Sequence, residues 1–405
     1  YFRVLGGLSL ESNLGKKIHN KIVLFSTYAD PYESRPFNIL DDQSTSLGFR
    51  EVLEYRTESW KFSGGMEHFH EWVDWKIFET NQGSQGSLLS HQGEVRQQVN
   101  GFAMAQWRPG KKLLVDVGFN VNLISYDLQT LFRLDSSDQS GQYTYTPVFS
   151  PRLGLSYRHH GSHYLYASVG HGFSAPSLEE TLLPEGGVNT ELRPEIGWNF
   201  ELGDRGNFWN GRVSYDATLF AVLLDDLLVT ERIAEDIFTG ANAGQTLNAG
   251  LELWTVATLL QSSPSPSADP GTGNTHSYEV KATLSYTLSH HQFTDFVDDG
   301  ISYTGNTLPG IPSQVLNAIL SARWDPLVIK LHYQHSGKQW MDDLNSELYE
   351  GFHLLHFQAS WKIRFRESPF HIQLNGGIRN ILNSQYASMI LVNAPSFGGS
   401  LPRYY

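Results

Sequence analysis

The pattern that most limits how this chain can fold is a two-residue alternation of apolar and polar side chains running from end to end. In an extended strand successive side chains point to opposite faces, so each alternating stretch has an apolar and a polar side. Over 278–288, Val280, Ala282, Leu284, Tyr286 and Leu288 alternate with Glu279, Lys281, Thr283, Ser285 and Thr287. Over 370–379, Phe370, Ile372, Leu374 and Ile378 stand against His371, Gln373, Asn375 and Arg379. The stretches 113–123 and 326–334 repeat the pattern, and helical periodicity is nearly absent. The alternation predicts about sixteen strands: 1–13, 17–28, 46–58, 60–78, 92–108, 111–126, 149–158, 162–174, 193–204, 211–224, 246–260, 275–290, 313–324, 326–336, 350–365 and 369–380.

Their connections alternate short and long. Short ones fall at Leu14-Gly15-Lys16, Arg108-Pro109-Gly110, His159-His160-Gly161, Trp324-Asp325-Pro326 and Arg366-Glu367-Ser368-Pro369. Long ones fall at 29–45, 79–91, 127–148, 175–192, 225–245, 291–312 and 337–349; the Ser/Pro/Gly-rich 261–274 is long on the short side. Dyad strands with short turns at one end and long loops at the other describe a transmembrane antiparallel β-barrel. Lipid offers the backbone no hydrogen bonds, so a spanning sheet must close on itself and face hydrocarbon outward. The alternative is a soluble sandwich or propeller, whose strands usually run about 5–6 residues and whose loops do not sort by length. Trp60, Trp107, Trp324 and Trp361 lie close to short turns, where an aromatic belt would meet the membrane surface.

Composition removes other classes. The longest apolar run found is six residues, Leu219 to Leu224, far short of the roughly 20 that a spanning helix needs. With no Cys there is no disulfide scaffold and no thiolate metal site. A net charge of −13 argues against nucleic acid as a partner. No secretory leader is visible, because Tyr1-Phe2-Arg3-Val4 opens as though in mid-strand. Strand direction puts both ends on the long-loop side, so further strands are expected before Tyr1 and after Tyr405.

Residues 164–204 carry Tyr164-Leu165-Tyr166-Ala167-Ser168-Val169-Gly170-His171-Gly172-Phe173-Ser174-Ala175-Pro176, then Val188-Asn189-Thr190-Glu191-Leu192-Arg193-Pro194-Glu195, then Trp198-Asn199-Phe200-Glu201-Leu202-Gly203. Further on stand Asn242-Ala243-Gly244, Gly250-Leu251-Glu252, Gly377-Ile378-Arg379-Asn380-Ile381-Leu382-Asn383 with Tyr386, and Pro402-Arg403-Tyr404-Tyr405. These segments resemble the C-terminal barrel of TonB-dependent outer-membrane receptors. That family has a Phe-Arg-Ala-Pro-like box followed by an Asn-Pro-x-Leu-x-Pro-Glu-like box; here Ser174 replaces the Arg, and the second box reads Asn-Thr-Glu-Leu-Arg-Pro-Glu. The resemblance implies a 22-stranded barrel around an N-terminal plug. Residues 1–405 would then be a partial barrel with long extracellular loops, the plug and terminal strands lying outside this sequence. It further implies an integral protein of a Gram-negative outer membrane, coupled to the TonB energy-transducing complex through the missing N-terminal part. The expected role is active uptake of a scarce ligand, foremost a ferric siderophore, with haem, copper or another nutrient as alternatives. A passive porin-like channel is the competing class, since sixteen strands is also a porin-like count. Neither role is enzymatic, no resident cofactor is expected, and the partners are a metal chelate or other small nutrient and membrane lipid.

Candidate ligand contacts are sought where lumen-facing strand tops meet loops: His68, His70, Tyr126, Tyr143, Tyr145 and Arg193. Aromatic and cationic groups there would hold an anionic chelate by stacking and charge-assisted hydrogen bonds. Met66, His68 and His70 share one strand face, a set that suits copper, though a polar lumen face containing His is the simpler reading. His332 and His356 are expected to face each other across a hairpin, as a hydrogen-bonded lumen contact. Ser177 to Val188 contains no His, which lowers the haem alternative, and Asp135 to Gly141 lacks the dense acidic spacing of a calcium loop.

Overall fold

The computed structural model describes residues 2–35, 38–181, 189–234, 237–262, 278–298, 300–365, 370–390 and 392–393. Sixteen principal strands follow one another: β1 (Phe2–Leu14), β2 (Ile18–Asp30), β3 (Ile39–Arg56), β4 (Trp60–Asn81), β5 (Ser84–Trp107), β6 (Leu113–Arg133), β7 (Val148–His160), β8 (His163–Ser174), β9 (Glu195–Phe208), β10 (Val213–Ala234), β11 (Ile237–Gln261), β12 (Tyr278–Asp295), β13 (Gln314–Trp324), β14 (Leu327–Ser336), β15 (Phe352–Arg364) and β16 (His371–Ile378). Each pairs antiparallel with the next in the chain, giving one continuous meander. All sixteen predicted strands are present in predicted order. Tyr32–Ser34 pairs with β3 and Gly141–Thr144 with β6 at the long-loop end, and one short helix, Leu178–Thr181, lies in the β8–β9 connection.

Two predicted loops are mostly strand. The segment 79–91 continues the β4–β5 ladder to a tight turn at Gln82-Gly83, both at positive φ (54° and 85°). That is the conformation whose twist suits a two-residue hairpin. The segment 225–245 likewise continues the β10–β11 ladder. Apolar alternation marks a strand only where its faces meet different surroundings. Above the membrane both faces meet water, so the pattern fades while the ladder persists. The predicted connection 261–274 falls almost wholly outside the described residues, as does Pro402 to Tyr405.

The apolar side of the sheet faces outward and is uncovered. Leu8, Leu219 and Leu374 are 69%, 55% and 51% exposed, an arrangement that is costly in water and natural where lipid is the solvent. Register carries one face across many strands: Phe62 opposes Tyr55 and Ala105, and Ala105 opposes Val117. Leu284 and Leu374 lie on this face; Lys281, Thr283, Gln373 and Asn375 lie on the other, as their alternation predicts. Trp60, Trp107, Trp324 and Trp361 are outward at the short-turn ends, with Trp60 stacked on Trp107 at 5.6 Å. Buried apolar clusters occur at the long-loop end, one of Leu40, Val73, Trp75, Ile77, Tyr126 and Leu128 and another of Phe293, Phe296 and Leu308.

Candidate functional site

The first of these clusters brings polar and aromatic groups together on the inner face. Successive cross-strand partners form a row across five strands: Ser46, Glu71, Arg96, Tyr126 and Tyr143. The adjacent row is Ser44, Val73, Glu94, Leu128 and Gly141. A third joins Asp42, Trp75 and Gln92. Because directly opposed side chains lie about 4.5–5.5 Å apart at Cβ, register alone gathers residues up to a hundred positions apart.

Three of the six predicted contacts come together here. Tyr126 stacks on Tyr143 at 5.1 Å between ring centroids and lies 5.9 Å from Tyr145. The Tyr143 hydroxyl donates to the Gln139 carbonyl at 3.1 Å, tying the β6–β7 loop over the cluster. Burial pushes the Tyr145 phenol above its ordinary pKa, with the Arg96 guanidinium opposing that rise. The hydroxyl therefore stays protonated and able to donate. Glu180 acts on Tyr145 from the Leu178–Thr181 helix, and is itself held by Ser177 N–H and Oγ at 2.7 and 2.8 Å. This is the start of a capping box, Ser177-x-x-Glu180.

Sequence reasoning missed the charged half of the site. Arg96 donates through Nε to Glu94, whose side chain is almost wholly buried, with Glu71 beside the same guanidinium. Among the described residues Asp42 Oδ1 and Trp75 Nε1 are buried without a hydrogen-bond partner. The signal was present in β5, where Ser90, Gln92, Glu94 and Arg96 form a polar dyad. Gln92, Glu94 and Arg96 fall inside the predicted strand 92–108; what alternation does not show is the register that sets them beside Glu71 and Tyr126.

The other three predicted contacts lie elsewhere. His68 and His70 were expected in the lumen, and here the structure corrects the reading. They share the outward face with Phe62, Met66 and Trp72, and His70 packs on Trp72 at 4.2 Å. Dyad parity says which residues share a face, and only the neighbouring strands say which face is outside. Met66, His68 and His70 therefore form no lumenal metal set, and among the described residues no group of three or more His, Asp or Glu could hold a metal ion. Arg193 is exposed and bound to Asp226 at 2.6 Å. Its backbone is clamped by Asn242, which accepts from Arg193 N–H and donates to Arg193 O, both at 2.8 Å. The second sequence box thus locks the β8–β9 connection onto β11, and Asn189 adds a bond to Gly240 O at 3.1 Å.

Farther round the wall, β13–β16 line a half-open hollow of about 740 Å³, with Lys330, His332, Gln334, His356 and Arg379 among the residues around it. His332 and His356 face each other as cross-strand partners, as predicted, but their rings lie 5.8 Å apart and the hydrogen bonds go to neighbours, His332 Nε2 to Asn317 Oδ1 at 3.2 Å. His356 Nδ1 accepts from Asn380 N–H at 3.1 Å and its Nε2 faces Gln334 Oε1 at 3.1 Å. Asp135 in the β6–β7 loop is taken up by Arg133 and Ser137, which hold its carboxyl well below the usual range.

A family model described as TonB dependent receptor-like, beta-barrel, matches residues 5–381. The chain belongs to this family. Among solved structures, the siderophore receptor PiuA from Acinetobacter baumannii has a TM-score of 0.69 at 14% identity, covering 96% of this chain and 61% of its own. The copper transporter OprC gives 0.76 at 15% identity, covering 100% of this chain and 63% of that one. The ferric citrate transporter FecA, unliganded, gives 0.70 at 15%, covering 96% and 58%. At such identities these likenesses speak for the fold. The receptor-barrel chain thus spans about three-fifths of the length of these structures. No curated protein matches it. The family is one of receptors and transporters, not of enzymes.

Proposed function

We propose that this receptor barrel is the wall of an outer-membrane importer that takes up a scarce small ligand, foremost a metal chelate of the ferric-siderophore class. The observation that carries this reading is the Tyr126–Tyr143 stack, with Tyr145 tilted against it and Arg96 alongside, on the inner face under the long loops. Stacked phenols and a guanidinium bind flat, oxygen-rich chelates by ring contact and hydrogen bonding. Two of the similar structures are a siderophore receptor and a ferric citrate transporter, which supports iron chelates. A third is a copper transporter, but the Met66-His68-His70 set that would speak for copper here faces outward. The passive-pore alternative loses ground to family membership. In the proposed whole protein a plug fills the lumen and couples to TonB in a Gram-negative outer membrane; that part lies outside this sequence.

The test is radio-iron uptake by cells lacking the full-length protein, complemented with wild type or with Tyr126→Ala/Tyr145→Ala. Loss of uptake for at least one chelate in the deletion strain, unrestored by the double variant, is the expected result. Wild-type uptake of every tested chelate by the deletion strain would end this reading.

A further inference from the structure

The outward face carries a feature that ligand uptake does not use. Taking the last outward-facing pair at the short-turn ends as rung zero, here Trp60 with Trp107, His68 lies eight residues above it and His70 ten. His171 lies eight above His163, and His335 eight above Leu327, directly opposite His353. Side chains at these five positions point outward, since each stands in line with exposed apolar neighbours: Met66 and Trp72, Leu165, Leu331, and Trp361.

Height follows from strand geometry. Eight to ten residues span about 26–33 Å along a strand, and a tilt of roughly 40° reduces this to about 20–25 Å above the short-turn ends. That is the upper edge of an apolar band about 25 Å tall. On these two rungs, among the described residues, no Lys, Arg, Asp or Glu faces outward on any strand; the neighbours are residues such as Leu47, Phe49, Val99, Leu123, Phe200 and Leu223. One rung higher, carboxylates appear at Asp30, Asp127 and Asp225. Two rungs below His70, Glu51 accepts a bond from Asn20.

Each ring has a neighbour: His68 lies edge-on to His70 at 6.3 Å, and His171 Nδ1 faces Ser150 Oγ at 3.3 Å. His70 packs on Trp72 at 4.2 Å, His171 on Trp198 at 5.1 Å, and His335 stacks on His353 at 4.4 Å. His335 Nδ1 faces the Phe352 carbonyl at 3.2 Å and His353 Nδ1 the Tyr333 hydroxyl at 2.6 Å. Among the described residues neither Nε2 has a hydrogen-bond partner, which leaves both for an external group.

We propose that His68, His70, His171, His335 and His353 form an outward girdle that holds the phosphates of phosphorylated lipid headgroups at the upper edge of the apolar band. Imidazole is the side chain here that combines an apolar ring for the acyl boundary with N–H donors and a cationic form for phosphate oxygens. The carboxylates one rung above would repel the same phosphates, which confines an anionic headgroup to the histidine level. The inference rests on the membrane placement of the barrel and is independent of which ligand is imported.

The experiment uses the full-length protein in detergent, exposed to bisphosphorylated lipid A and to the same glycolipid with both phosphates removed. Native mass spectrometry reads the lipid retained. Wild type should retain the phosphorylated form about fivefold more than the dephosphorylated form. His68→Phe/His70→Phe/His335→Phe/His353→Phe should reduce the ratio to about one, while His332→Phe, on the inner wall, should leave it unchanged. The pairs His68→Gln/His70→Gln and His335→Gln/His353→Gln guard against failed assembly, each lowering the ratio. No preference in wild type, or full preference in the paired variants, overturns the proposal. Uptake measured in parallel separates the two readings: lost transport with intact lipid preference counts against the receptor function alone.

Discussion

Arg96 and Glu94 show how a lumen wall handles charge. The Glu94 side chain is almost wholly buried and has Arg96 as its ion-pair partner. Removing one member of a buried pair costs about 3–5 kcal/mol because the other charge is left uncompensated. Arg96→Met should therefore destabilise the barrel by roughly that amount, and adding Glu94→Gln should restore most of it; urea titration of the refolded protein measures both. At Asp135 the argument runs through pH. Its carboxyl is held below its unfolded pKa by Arg133 and Ser137, so the stabilisation of the 133–137 turn is fully present above about pH 4. It is lost as pH falls through the depressed folded value. Hydrogen exchange of Ser137 N–H should accelerate on acidification beyond its intrinsic rate, and Asp135→Asn should abolish that extra pH dependence; equal profiles in both proteins would refute the assignment.

At the level of strands, register and parity decide which substitutions matter. Leu284 faces lipid and Thr283 the lumen. Arg on the lipid face near the midplane costs about 2–4 kcal/mol, so Leu284→Arg should lose that much in vesicle-folding titrations while Thr283→Arg folds nearly as wild type. Equal penalties would contradict the assignment of faces. The inner face also depends on glycines that let aromatic rings lie flat across neighbouring strands. A Cβ at Gly48 would meet the Phe25 ring at 2.0 Å, and Phe25 packs edge-on to Phe69 at 5.1 Å. Gly48→Val must displace that ring, and the expected cost is about 1–3 kcal/mol, measured by the same titration.

For the whole molecule, two aromatic levels set its position in the bilayer. Trp60, Trp107, Trp324 and Trp361 mark the short-turn side, and Trp72 and Trp198 the long-loop side. Variants retaining only Trp107 or only Trp198 should both be quenched best by lipids brominated near the headgroup. Strongest quenching by bromines at the bilayer centre would displace the barrel from this register. Much of this architecture was legible in the residues. Sixteen strands, their order and the lipid face at Leu284 and Leu374 follow from the dyad, because lipid on one side and water on the other impose opposite chemistry on alternate positions. The strand extensions above the membrane were not legible, because there both faces meet water and the pattern dissolves.

The candidate site divides along the same line. That Tyr126, Tyr143 and Tyr145 would sit near the strand tops could be read from alternation and loop length. That Arg96, Glu71, Glu94 and Trp75 stand in adjacent rows with them is set by the register between strands β3 to β6, and many different sequence separations satisfy the same local pattern. His68 and His70 make the clearest case. Their shared face is a local property of an extended backbone, fixed by a period of two. Which side of the wall that face lies on depends on how every neighbouring strand turns its apolar side, and only the assembled sheet decides it.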